Sequence, residues 1–142
     1  PNGSAGDLLG HGGPSLSANG LILAAASPYD DDKGSSSGSV LVWERADLST
    51  SFSSVSPTKL RDPNGSEGDV LGIGGPSLSA NGLILAAASY GDDDKGSESG
   101  SVLVWERADL STPFSSVSPT KLLDPNGSAG DLLGHGGPSL SA

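Results

Sequence analysis

Residues 13–45 read GPSLSANGLILAAASPYDDDKGSSSGSVLVWER, and the fold is decided in this stretch. Gly13-Pro14 sets off a short strand over 15–18. Asn19-Gly20 is a two-residue hairpin signal, because both central positions of such a turn need positive φ. Residues 21–27 (LILAAAS) are continuously apolar. Continuity without alternation predicts a central strand buried on both faces, with small alanines where neighbours come close. Residues 39–45 (SVLVWER) are β-branched and aromatic and end in charge. Their alternation places Val40 and Val42 on one face, Leu41 and Trp43 on the other. Glu44-Arg45, with Glu106-Arg107, read as surface charges at a strand end. The loop 28–38, holding Asp30-Asp31-Asp32, cannot be a sheet interior.

Outward from this stretch, a Ser-rich connector over 48–56 leads to Pro57-Thr58-Lys59-Leu60. That segment is a weak outer strand whose Pro suits a sheet edge. Asp62-Pro63-Asn64-Gly65 is good turn chemistry, with Pro preset for the second position. No segment has apolar spacing of period 3.6, so no helix is expected.

The same pattern then recurs. Shifted by 62 residues, the chain matches itself, and residues 1–62 and 63–124 differ at eight positions. These are Ala5/Glu67, Leu8/Val70, His11/Ile73, Pro28/Tyr90, Tyr29/Gly91, Ser36/Glu98, Ser51/Pro113 and Arg61/Leu123. Residues 125–142 repeat residues 1–18 and match the first copy, not the second. The expected organisation is repeat A (1–62), repeat B (63–124) and the start of a further repeat A (125–142), a window on a longer periodic chain. A unit of this length and β content is closest to one four-stranded propeller blade.

Composition excludes several classes. The 22 Gly and 10 Pro residues would suggest disorder in a non-periodic chain. Here they punctuate a repeat. With no Cys there is no disulfide framework, thiol nucleophile or zinc–thiolate site. A net charge of −10 argues against nucleic-acid binding, which needs a basic face. No apolar run approaches a membrane span.

The stretch GDLLGHGGPSLSANGLILAAASPYDDDKGSSSGSVLVWER, followed by PTKLRD, resembles the FG-GAP repeat, the blade unit of integrin-type β-propellers. Leu9-Gly10 stands where Phe-Gly is usual in that family, and Ala25-Ala26-Ser27-Pro28 where Gly-Ala-Pro is usual. The resemblance spans the whole repeat. It implies an all-β fold of four-stranded antiparallel blades, an extracellular or cell-surface setting, and often calcium in the loops.

Calcium prefers six to eight carboxylate and carbonyl oxygens. Asp30, Asp31 and Asp32, with Asp92, Asp93 and Asp94, offer such ligands in Gly-containing loops. Their consecutive spacing departs from the alternate-residue pattern of EF-hand-like loops, and a solvated acidic loop whose carboxylates cap turns is the other reading. Asn2, Asn64 and Asn126 each open an Asn-Gly-Ser sequon, on what is also a strong turn sequence. His11 and His135 are not read as a site, because the equivalent position in repeat B is Ile73. No nucleophile elbow or phosphate loop is present.

Three functions compete. The first is a structural fibre or stalk of stacked blades, extracellular, glycosylated, and partnered by copies of itself. A strictly alternating array fits this better than a seven-membered ring, which cannot alternate evenly. The second is a calcium-stabilised propeller in adhesion or ligand binding. An enzyme is disfavoured, because near-identical repeats offer no asymmetric pocket.

Overall fold

The computed structural model describes residues 3–141. The fold is all-β: two four-stranded antiparallel sheets, one per repeat, each a simple meander. The first holds β1 (Ser15–Leu16), β2 (Ile22–Ser27), β3 (Ser39–Glu44) and β4 (Thr58–Leu60). The second holds β5 (Ser77–Leu78), β6 (Ile84–Ser89), β7 (Ser101–Glu106) and β8 (Thr120–Leu122). The apolar run 21–27 becomes β2, paired with β1 on one side and β3 on the other, and buried along nearly all its length. The weak Pro-flanked segment becomes β4, an edge strand paired with β3 alone.

The Asn19-Gly20 hairpin forms with a longer loop than the two-residue turn its sequence suggests. Ser17 N donates to Ile22 O at 3.0 Å and Gly20 N to Ser17 O at 2.9 Å, leaving residues 18–21 as the loop. Only Gly20 takes positive φ (72°), while the Asn19 carboxamide oxygen accepts from Leu21 N and Ser17 Oγ. The side chain thus replaces a backbone bond that a tighter turn would have made.

The two sheets share one core, and strand alternation explains how. In the first sheet Ile22, Ala24, Ala26, Val40, Val42 and Leu60 lie on one face, here called the Val face. The opposite, Trp face of the second sheet carries Leu78, Leu85, Ala87, Leu103 and Trp105. These two sets, with Leu71 and Phe114, form a single buried cluster. The sheets therefore stack Val face against Trp face, and the same element of each repeat plays a different part on each side. Interfaces of this head-to-tail kind are not self-complementary.

Burial follows the stacking and not the residue type. Leu71, lying under the first repeat, is 0% exposed, while its counterpart Leu9 is 54% exposed. Leu60, under the second repeat, is 5% exposed and its counterpart Leu122 49%. Trp105 is sealed at 1% exposure, whereas Trp43, with no sheet over it, is only half-buried.

Backbone contacts add to the junction. Residues 35–37 run beside residues 68–71, with Ser35 O, Ser36 O and Ser37 O accepting from Gly68 N, Val70 N and Leu71 N at 2.9–3.1 Å. At the Gly-Gly turns the chains touch closely. A Cβ on Gly75, whose φ is +85°, would lie 2.6 Å from Gly12 O. The connector 48–56 is more structured than its Ser content suggests. It contains a short 3-10 turn (Phe52–Ser54), repeated at Phe114–Ser116, and Phe114 is fully buried.

Candidate functional site: an acidic junction between the repeats

The Asp loops fold inward at their first residue and outward at the next two. Asp30 and Asp92 are buried; Asp31, Asp32, Asp93 and Asp94 are exposed. Asp92 accepts from Asp94 N (3.0 Å), Ser101 Oγ (3.0 Å) and Lys121 Nζ. Asp93 turns away to accept from Glu98 N at 2.7 Å. Asp94 meets Lys121 Nζ at 3.1 Å. Repeat A shows the same scheme: Asp30 with Asp32 N, Ser39 Oγ and Lys59 Nζ, Asp31 with Ser36 N, and Asp32 with Lys59 and Arg61. In each loop the first and third carboxylates thus share one lysine, while the second turns away to cap its own loop.

The structure assembles a different group. Asp62, in the turn leaving repeat A, and Asp69, in the turn entering repeat B, meet Asp92 of the second Asp loop. One oxygen from each lies within 4.8 Å of the others. All three are buried, at 3%, 3% and 2% exposure. Local bonds aim them. Asp62 Oδ1 accepts from Asn64 N at 2.8 Å, and Asp69 accepts from Ser66 N (2.8 Å) and Ser66 Oγ (3.1 Å). Neither Asp62 nor Asp69 is singled out by sequence spacing, since the three segments meet only when one repeat stacks on the next. The signal available was that both recur at a fixed place in every copy.

Lys121 is the cation of this junction. It is paired in register with Leu103, so its stem lies on the Trp face, inside the contact between the sheets. Its ammonium meets Asp92, Asp62 (2.8 Å) and Asp94 (3.1 Å). Desolvation pulls its pKa down, but the hydrogen bonds it donates to these carboxylates outweigh that and hold it above the ordinary lysine value. Lys59 is raised by the same balance against Asp30 and Asp32. Asp69 is pushed up, first by burial and only partly countered by its bonds to Ser66. Its counterpart Asp7 has the same Ser-x-x-Asp bonding and no repeat above it, and Ser4 lowers it.

Arg107 corrects the reading of the strand-end charges. It is buried against Phe114, 4.2 Å from the ring centroid. It donates to Gly82 O (3.0 Å), Thr112 O (3.1 Å) and, across the junction, Glu44 Oε1 (2.6 Å). Glu44 sits on the Val face, which is why it can reach the next sheet. Of the sequon asparagines, Asn64 and Asn126 are exposed on their turns; Asn2 lies outside the described residues. His11 is exposed and bonds Ile73 O at 2.9 Å, and His135 packs beside Tyr90 at 5.1 Å. Among the described residues no helix is long and apolar enough to cross a membrane. No family model, curated protein or solved structure matches the chain.

Proposed function

We propose that the chain is part of a structural array: blade-like β repeats stacked head to tail in an extracellular fibre or stalk, with N-linked glycans on the exposed Asn-Gly-Ser turns. The observation that carries this reading is the pairing of faces. The Trp face of repeat B is sealed by the Val face of repeat A, and at the two ends the corresponding faces are only partly covered, with Leu9, Leu16 and Leu122 about half exposed. Such a surface is satisfied by another copy of the same unit, and a head-to-tail contact that does not close into a ring propagates. A contiguous apolar end face is also a liability unless covered.

The reading draws further support from near-identity of the copies and from the FG-GAP resemblance. Polypeptides containing increasing numbers of the 62-residue unit, imaged by electron microscopy, test it. Contour length should grow linearly with copy number. A compact disc that stops growing at a fixed number of units would overturn the array and favour a closed propeller. Expression in a secreting eukaryotic cell, followed by glycosidase treatment and intact mass, tests Asn64 and Asn126.

A further inference from the structure

We propose that the face repeat B presents to the repeat after it selects an A-type unit and rejects a second B, so that the alternation of the copies is built into their junctions. The inference rests on the head-to-tail stacking of repeats and does not depend on whether the stack is a fibre or a ring.

The eight differences between the copies are not scattered. The strands are identical in sequence, pair by pair, from β1 and β5 to β4 and β8. The differences all fall outside them, and most stand where one repeat meets the next.

The two junctions use these positions differently. Between A and B, His11 Nδ1 meets Ile73 O at 2.9 Å. Between B and the A-type segment 125–142, the preceding repeat offers Ile73 in place of that histidine, and its side chain cannot make such a bond. Tyr90 of B packs on His135 instead, with ring centroids 5.1 Å apart and planes tilted by 58°. Repeat A has Pro28 at the place of Tyr90. Each junction thus has one histidine contact, given by the preceding repeat in the first and by the following repeat in the second. A B repeat followed by a B repeat would have neither, and Tyr90 would meet an isoleucine.

The acids follow the same rule. Ser36 O accepts from Val70 N at 2.9 Å in the first junction, and Glu98 O from Leu132 N at 3.0 Å in the second. Glu67 and Ala129 run beside these loops: a Cβ on Gly34 or on Gly96 would lie 3.0 Å from the amide nitrogen of the one or the other. Each junction therefore sets one acid beside one neutral residue, Glu67 with Ser36 and Glu98 with Ala129. B after B would set two acids together, a repulsive element of the kind that specificity commonly uses. Glu67 and Glu98 are exposed, so their repulsion is small and screened by salt, and the ring pair is the larger discriminator.

The two types of repeat also hold their own entry segments differently. A Cβ on Gly91 would lie 2.0 Å from Gly68 O, yet repeat A carries Tyr29 at the same place. In A, Ser27 Oγ donates to Asp7 O at 3.1 Å, whereas Ser89 Oγ, its counterpart in B, has no partner. The copies are therefore not interchangeable parts, despite their identical strands.

Native-state hydrogen–deuterium exchange of the full chain tests the selection. It is read by NMR at the amides of Gly130, Leu132 and Leu133, which bond Ser97 O, Glu98 O and Ser99 O across the second junction. Ala129→Glu together with His135→Ile turns the segment towards B type and should speed this exchange about threefold to tenfold. On a face carrying Tyr90→Pro and Glu98→Ser, the residues of repeat A, the same two substitutions should change exchange by less than about twofold. Unchanged exchange within β6 and β7 shows that the sheet persists. If Tyr90→Pro unfolds it, Tyr90→Ala takes its place, and His135→Ile should then have no further effect. Equal loosening on both faces, or none on the native face, would overturn the selection. Either result leaves the stacked array standing, since that is read separately from contour length.

Discussion

Trp43 and Trp105 occupy the same place in two nearly identical repeats, so truncating each to Ala isolates what stacking contributes. A fully buried Trp removes about 150–250 Å² from water, worth roughly 4–6 kcal/mol at about 25 cal/mol per Å². Trp105 is 1% exposed in the shared core, so Trp105→Ala should cost about 4 kcal/mol, within the usual range for removing a core aromatic. Trp43 is half-buried, with its outer side open, and Trp43→Ala should cost about half as much, roughly 2 kcal/mol. Urea unfolding followed by circular dichroism gives both values, provided both variants retain the wild-type slope. In thermal melting the first should fall by about 10–15 °C, the second by about half that. Equal losses for the two, or a loss under about 1 kcal/mol for Trp105→Ala, would refute the Val-face-on-Trp-face stack.

Other outcomes follow from the junction. Gly75→Ala forces a Cβ to within 2.6 Å of Gly12 O at positive φ; it should cost about 2 kcal/mol or more, whereas Gly13→Ala, equally positive in φ but open in space, should cost about 1. Arg107→Met keeps much of the stem but strands the Glu44 carboxylate and two carbonyls, and should lower stability by about 2–3 kcal/mol. Arg45→Met, with no cross-repeat partner among the described residues, should lose less in the same urea series. Lys59 and Lys121 are raised in the folded state, so their contribution is complete below the unfolded lysine value of about 10.4 and is lost as pH rises beyond it. The urea midpoint should therefore hold to about pH 10 and then decline, and Lys121→Gln should shrink that decline. A midpoint flat through pH 11.5 would contradict the carboxylate–lysine pairing.

The sequence by itself determined the local structure. The continuous run at 21–27, the alternation of SVLVWER and the Gly/Pro/Asn punctuation specified strands and faces and placed the turns, though not the exact hairpin loop, because these depend on neighbours within a few residues. It also specified that the pattern repeats, down to the eight positions where the copies differ. It could not say which of two identical residues would be buried. Leu9 and Leu71 hold equivalent places in nearly the same local sequence, but only Leu71 lies under the sheet of a preceding repeat. The same holds for Trp43 and Trp105. Arg107 looked like a strand-end charge because the ring and carbonyls that enclose it come from a connector and an earlier hairpin. The acidic junction was least legible of all. Asp62, Asp69 and Asp92 are spread over half a repeat, each with a sufficient local role in a turn. Only the stacking of one sheet on the next brings them to one point, and only there does burial make their charge a demand for a partner.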